Sequence, residues 1–276
     1  MRAVRYAGTD GAARLGRLED DTIVDAGPAP AVGFDASPEA WEVVAGASGD
    51  RVAAAGARLL HPCVPRKLIG IGLNYRDHAE ESELDIPAVP VLFAKWPSAM
   101  IGAGETIVVP REETRPDYEA EVAVVIGRRT YRADADAARA AVGGISAMND
   151  VSGRRAQLET PLRQFTLGKS FDTFAPMGPC VASADGVDLA AIGVKATVSG
   201  EELQSSNTRN LIFSIVELIQ YASAGMTLEP GDVIATGTPG GVGDSRTPPR
   251  YLRDGDVVDV WVDGVGTLRN PVAFEP

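Results

Sequence analysis

The sequence predicts a sheet-rich α+β fold, and three observations lead there. The 276 residues include 30 glycines and 19 prolines, a turn-forming content that suits many short strands better than a helical bundle. Apolar runs of strand length recur between turn residues, while few stretches show helical periodicity. Strands and helices do not alternate in the regular order of βαβ winding. With 45% of its residues hydrophobic, the chain can bury a substantial core.

Strands are expected first at residues 2–6, 13–18 and 22–24, separated by the turn sequences GTDG and EDD. Ser37 and Pro38 read as the N-cap and first residue of a helix. A second, alanine-rich helix is predicted over residues 50–60. The prolines of HPCVPRK cannot continue it, so a small N-terminal α+β domain is drawn at residues 1–65 and the main domain at 66–276. In the main domain strands are expected at 68–72, 91–95, 106–109, 118–126, 144–149, 194–198, 232–236, 257–262 and 267–269. Helices are expected at 133–142 and 211–224, the second with Leu211, Ile215, Leu218 and Ile219 on one stripe. GTPGGVG, residues 237–243, lacks the lysine of a P-loop and the spacing of a dinucleotide fingerprint.

Composition excludes several function classes. A net charge of −12 and a pI near 4.7 disfavour extended contact with nucleic-acid phosphates. The two cysteines, Cys63 and Cys180, form neither a disulfide scaffold nor a zinc-thiolate cluster, which makes a reducing, cytoplasmic setting the expectation. The start of the chain turns polar at once and does not read as a signal peptide. The longest apolar stretch is interrupted by Ser214, Glu217 and Gln220 and is too short to span a bilayer, so no membrane contact is expected.

In PDYEAEVAVVIG, a strand would place Glu119 and Glu121 on one face, because side chains at i and i+2 project together. Such a pair is ordinarily a solvated face, but this strand runs on into core sequence. Asp150 ends another apolar strand in GISAMND. Three carboxylates without a histidine among them suit a hard cation, namely magnesium, manganese or calcium. Lys169, in FTLGKSFD, is set among apolar residues and could neutralise a substrate carboxylate or a developing enolate. Arg154 and Gln157 are i, i+3 and share a face if VSGRRAQLE is helical. His78 and Glu81 are also i, i+3, the spacing at which a carboxylate orients an imidazole that activates water. The acidic, proline-containing segment after them reads as a lid over residues 78–90.

IGLNYRDHAEE, PVLFAKWPSA, PDYEAEVAVVIG, NDVSGRRAQ, FTLGKSFDTFAPMGPCV and LEPGDVIATGTPGGVG occur in the order and character of the fumarylacetoacetate hydrolase family. The resemblance covers nearly everything from Leu68 onward and is to the family's short-form branch. It implies a catalytic domain of mixed β-roll and β-sandwich type, usually in a homodimer. It also implies Mg²⁺ or Mn²⁺, or Ca²⁺ in crystals, held by Glu119, Glu121 and Asp150. His78 and Glu81 correspond to the family's lid-helix pair, Gln157 and Lys169 to its substrate contacts, and Thr238 to its pocket-closing loop. Leu73 stands where some relatives carry arginine, a contact that Arg76 could replace. Trp96 alters the surroundings of Lys95, the remaining substrate-contact candidate.

The activity this implies is metal-dependent hydrolysis of a carbon–carbon bond in an acylpyruvate-type 2,4-dioxo acid, with His78 and Glu81 activating water and a pyruvate enolate leaving. Oxaloacetate decarboxylation and isomerisation or dehydration of a 2-oxo acid use the same ligands. A non-catalytic metal-binding protein is the third alternative.

Overall fold

In the computed structural model, which describes residues 1–82, 85–159 and 161–276, the strand Ala120–Ile126 is buried along its whole length. Its two faces feed two cores. Val122, Val124 and Ile126 join one apolar cluster, and Ala123 and Val125 join the other. A strand with both faces covered needs a continuous apolar run, which AVVI supplies.

Among the described residues twelve strands form one sheet, and this strand lies near its middle. Val142–Asn149 pairs with it antiparallel on one side and Val233–Ala235 on the other. Val233–Ala235 in turn runs parallel to Leu68–Gly72, and Val91–Lys95 completes that side. A five-stranded sheet, which includes Gly193–Val198 and Val257–Val262, contributes Val194, Ala196, Val258 and Val260 to the core on the Val122 face. The helix Pro38–Ala45 serves the other core, with Val44 fully buried and Trp41 packed edge-on to Phe34. The sheet-rich α+β class is therefore what the chain adopts.

The predicted helix at 50–60 does not form. Arg51–Ala53 is a strand paired with Thr22–Pro28, and Leu59–Leu60 pairs with Arg2–Ala7. Alanine's helix preference amounts to only tenths of a kcal/mol per residue, less than the ladder that these open strand edges offer. The predicted helix at 211–224 starts later, at Ile215–Ser223, because Ser214 and Glu217 close a capping box. Asp134 likewise caps Ala135–Ala141. Arg2–Ala7 pairs with Ala175–Ser183, so the first 65 residues extend the main sheet. No helix among the described residues is long and apolar enough to cross a membrane. The expected lid falls partly on residues 83 and 84, outside the described residues.

Candidate active site

Strand register builds the carboxylate cluster. Ala120 is paired with Asn149, so the next pair along the ladder sets Glu119 opposite Asp150, whose N–H donates to the Glu119 carbonyl at 2.8 Å. Glu121 follows two residues on, as the strand period requires. The three side chains are buried, and one carboxylate oxygen from each lies within 4.8 Å of the others. Such a cluster needs positive charge, and the fold supplies it. Lys169 Nζ donates to Glu119 Oε2 at 2.6 Å and to Asp150 Oδ2 at 2.7 Å. Arg154 Nη2 donates to Glu119 Oε1 at 2.7 Å.

These contacts divide the carboxylates electrostatically. Burial by itself would raise the Glu119 carboxyl, but Lys169 and Arg154 outweigh it and pull it down to about 2. Glu121 goes the other way. Burial, then the charges of Asp150 and Glu119, push it well above the usual carboxylate range, while the Gly237 N–H donates to its Oε2 at 2.9 Å. Burial works against the Lys169 ammonium, yet Asp150 and Glu119 raise it.

The chemistry of this donor set fits a hard divalent cation. All donors are oxygens, and the three carboxylates cannot comfortably ionise together without added positive charge. Asp150 Oδ1 is buried without a hydrogen-bond donor, although Lys95 Nζ lies 2.5 Å away at a poor angle. Lys95 is 1% exposed, donates to the Val151 carbonyl and is not among the residues that line the adjoining cavity.

A cavity of about 570 Å³ opens on the cluster and is lined by His78, Glu81, Glu119, Gln157, Lys169 and Thr238 among others. Gln157 and Arg154 share a face of the helix Arg154–Leu158, with Arg154 Nη1 donating to Gln157 Oε1 at 3.1 Å. Arg76 points elsewhere: its guanidinium donates to the Leu211 carbonyl. His78 and Glu81 both lie on the helix Arg76–Glu81, but His78 Nδ1 is 3.8 Å from Glu81 Oε2 and has no hydrogen-bond partner. That distance is too long for a hydrogen bond. Glu81 Oε2 instead accepts the Gly241 N–H at 2.7 Å.

The loop after Val233–Ala235 shapes the remaining wall. Gly237 has φ +100°, and a Cβ there would lie 2.8 Å from Asn74 Cβ; at Gly241, φ +99°, it would lie 2.2 Å from the Leu203 carbonyl oxygen. Side chains at either position would push the loop off its supports. Thr238 Oγ1 donates to the Ala120 carbonyl at 3.0 Å and accepts from Gln204 Nε2 at 2.8 Å.

Sequence reasoning overlooked two supports of this loop. Asp117, fully buried, accepts from the Gly243 and Asp244 N–H groups and from Arg154 Nε, tying the loop to the carboxylate cluster. Its position two residues before Glu119 was a usable signal. Gln204 reaches in from the five-stranded sheet, and nothing local in the sequence marks it.

A family model described as fumarylacetoacetate (FAA) hydrolase C-terminal matches residues 67–273. The oxaloacetate tautomerase YisK of Bacillus subtilis is 44% identical over 220 residues, which span 77% of this chain and 72% of that protein. The mitochondrial oxaloacetate tautomerase FAHD2A of Bos taurus is 42% identical over 209 residues, 75% of this chain and 67% of that protein. The crystal structure of a 5-carboxymethyl-2-hydroxymuconate delta-isomerase from Mycobacterium smegmatis matches with a TM-score of 0.83 at 34% identity, covering 100% of both chains.

Proposed function

The chain belongs to the fumarylacetoacetate hydrolase family, and on that premise we propose that it interconverts the enol and keto forms of a 2-oxo acid, with oxaloacetate as the first substrate to try. The names of its relatives, two oxaloacetate tautomerases and an isomerase, support this better than carbon–carbon hydrolysis. The observation that carries it is geometric. Cations and carboxylates suited to an enolate gather at one wall of the cavity, while the His78–Glu81 dyad that hydrolysis requires is not closed.

A divalent cation, magnesium or manganese by donor chemistry, held by Glu119, Glu121 and Asp150 would draw electron density from the 2-oxo oxygen and lower the cost of the enolate. Lys169 adds a fixed positive charge beside it. Gln157 orients the carboxylate end, held on its helix face by the hydrogen bond from Arg154. His78 takes the proton from the carbon next to the carbonyl, and the oxygen gains one in exchange. No carbon–carbon bond breaks. Phe93, Phe165 and Val242 in the cavity wall limit water, which would compete for the enolate. Tautomerisation needs one base and no ordered nucleophile, so the open dyad is no obstacle.

The test follows the enol absorbance of oxaloacetate with Mg²⁺ or with a chelator, alongside CO₂ release and acetylpyruvate cleavage. Metal-dependent enol decay without CO₂ supports tautomerisation. Stoichiometric CO₂ release makes the enzyme a decarboxylase, and cleaved acetylpyruvate restores hydrolysis. Silence in all three assays leaves a non-catalytic metal-binding role.

A further inference from the structure

Three cationic side chains line the cavity, and two of them are already neutralised. Arg154 is held by Asp117 and Glu119, and Lys169 by Glu119 and Asp150. Arg163 is the third. Among the described residues its guanidinium has neither an ion-pair nor a hydrogen-bond partner, although it borders the same cavity. The lining carboxylates Glu81 and Asp244 are occupied, by the Gly241 N–H and the Tyr251 hydroxyl.

The backbone beside Arg163 is defined by its neighbours. Arg163 lies between the helices Arg154–Leu158 and Phe165–Gly168, with φ +45°, a left-handed conformation uncommon for a residue with a side chain. The next residue, Gln164, donates its N–H to the Gln157 carbonyl at 2.9 Å and receives the Gly168 N–H at 3.0 Å. These bonds tie the backbone next to Arg163 to Gln157, while the Arg163 side chain is exposed and free to reach a ligand in the cavity. The cavity, about 570 Å³, extends beyond what a 2-oxo carboxylate head occupies at the carboxylate cluster.

We propose that Arg163 receives the distal carboxylate of the substrate, so that the site selects 2-oxo dicarboxylic acids over monocarboxylic acids of equal length. An unpaired planar guanidinium matches a carboxylate in charge and in its two-point geometry. The paired cations Arg154 and Lys169 of the same cavity have already given their hydrogen bonds to protein groups and have little left for a second anionic end. The inference rests on reading the cavity as a 2-oxo acid site.

The experiment is calorimetric and independent of turnover. With Mn²⁺ present, the full chain is titrated with 2-oxoglutarate and 2-oxopentanoate, and with 2-oxoadipate and 2-oxohexanoate, two pairs matched in carbon number. The wild type should bind the better diacid about 10–100-fold more tightly than its monoacid partner, the range for a charge-assisted contact. In Arg163→Met the ratio should fall to about one, and Arg163→Lys should keep part of it. The thermal midpoint of Arg163→Met should stay within about 1 °C of wild type, since no protein partner is lost. Equal binding within both pairs by the wild type, or an unchanged ratio in Arg163→Met, overturns the role of Arg163 and leaves the 2-oxo acid reading standing. No binding of any of the four overturns both.

Discussion

Replacing Lys169 by methionine removes one positive charge from a nearly dry cluster while keeping most of the side-chain volume. The Lys169 ammonium bridges Glu119 Oε2 and Asp150 Oδ2 at 2.6 and 2.7 Å, and the residue is 3% exposed. Removing one partner of such a buried group leaves uncompensated charge and costs about 3–5 kcal/mol. At about 2.1 cal/mol/K per residue, the unfolding entropy of 276 residues is about 0.6 kcal/mol/K, so the midpoint should drop by about 5–9 °C. Scanning calorimetry in chelator measures this directly. Repeating the scan with Mn²⁺ should shrink the deficit, because a bound cation takes over the neutralisation of the same oxygens. A metal-free midpoint within about 2 °C of wild type would refute the view that Lys169 holds the cluster together. A deficit unchanged by Mn²⁺ would refute the shared-oxygen argument, since lysine and cation would then act at separate places.

Asp150→Asn removes a charged donor from the oxygen cluster and should weaken Mn²⁺ binding by more than about 100-fold, beyond the range for outer-shell partners; calorimetric titration reads it. Gln204→Leu strands the Ala120 N–H and the Pro239 carbonyl, both bonded to its amide, and frees the Thr238 hydroxyl. Each stranded group costs about 1–3 kcal/mol, so urea unfolding should show a loss of about 2–6 kcal/mol for the two, with weaker substrate binding. Far from the site, the Asp25 carboxyl is held below its usual value, chiefly by the Arg14 guanidinium, which donates to it through Nε and Nη2. A carboxylate lowered on folding stabilises above its unfolded value, about 3.9, and that contribution is lost as pH falls through the folded value. Asp25→Asn should therefore lower the midpoint at pH 7 and converge with wild type as the pH drops below about 4; a gap that stays constant with pH would sink the argument.

Much of the site was legible in the sequence because its motifs are short-range. The parity of Glu119 and Glu121 follows from the strand repeat, and the apolar run after them marks a strand covered on both sides. Gln157 and Arg154 follow in the same way from the helical repeat. The helix expected at 50–60 was lost because its outcome depended on which strand edges stood open nearby, which no local window records. His78 and Glu81 show where the same reasoning stops. Their spacing put them on one helix face, but the carboxylate found a backbone N–H 160 positions away.

The sequence by itself determined the fold class, the family and the identity of the carboxylates, because each is written in a local period or a contiguous motif. The tertiary structure alone decided that Asp150 faces Glu119, that Lys169 spans the two, and that Asp117 and Gln204 brace the loop beside them. It also decided that Arg76 turns away from the cavity while Arg163 borders it with no partner among the described residues. These are outcomes of competition among distant partners for the same hydrogen bonds and charges, and that competition is resolved only when the sheets have paired and the core has closed.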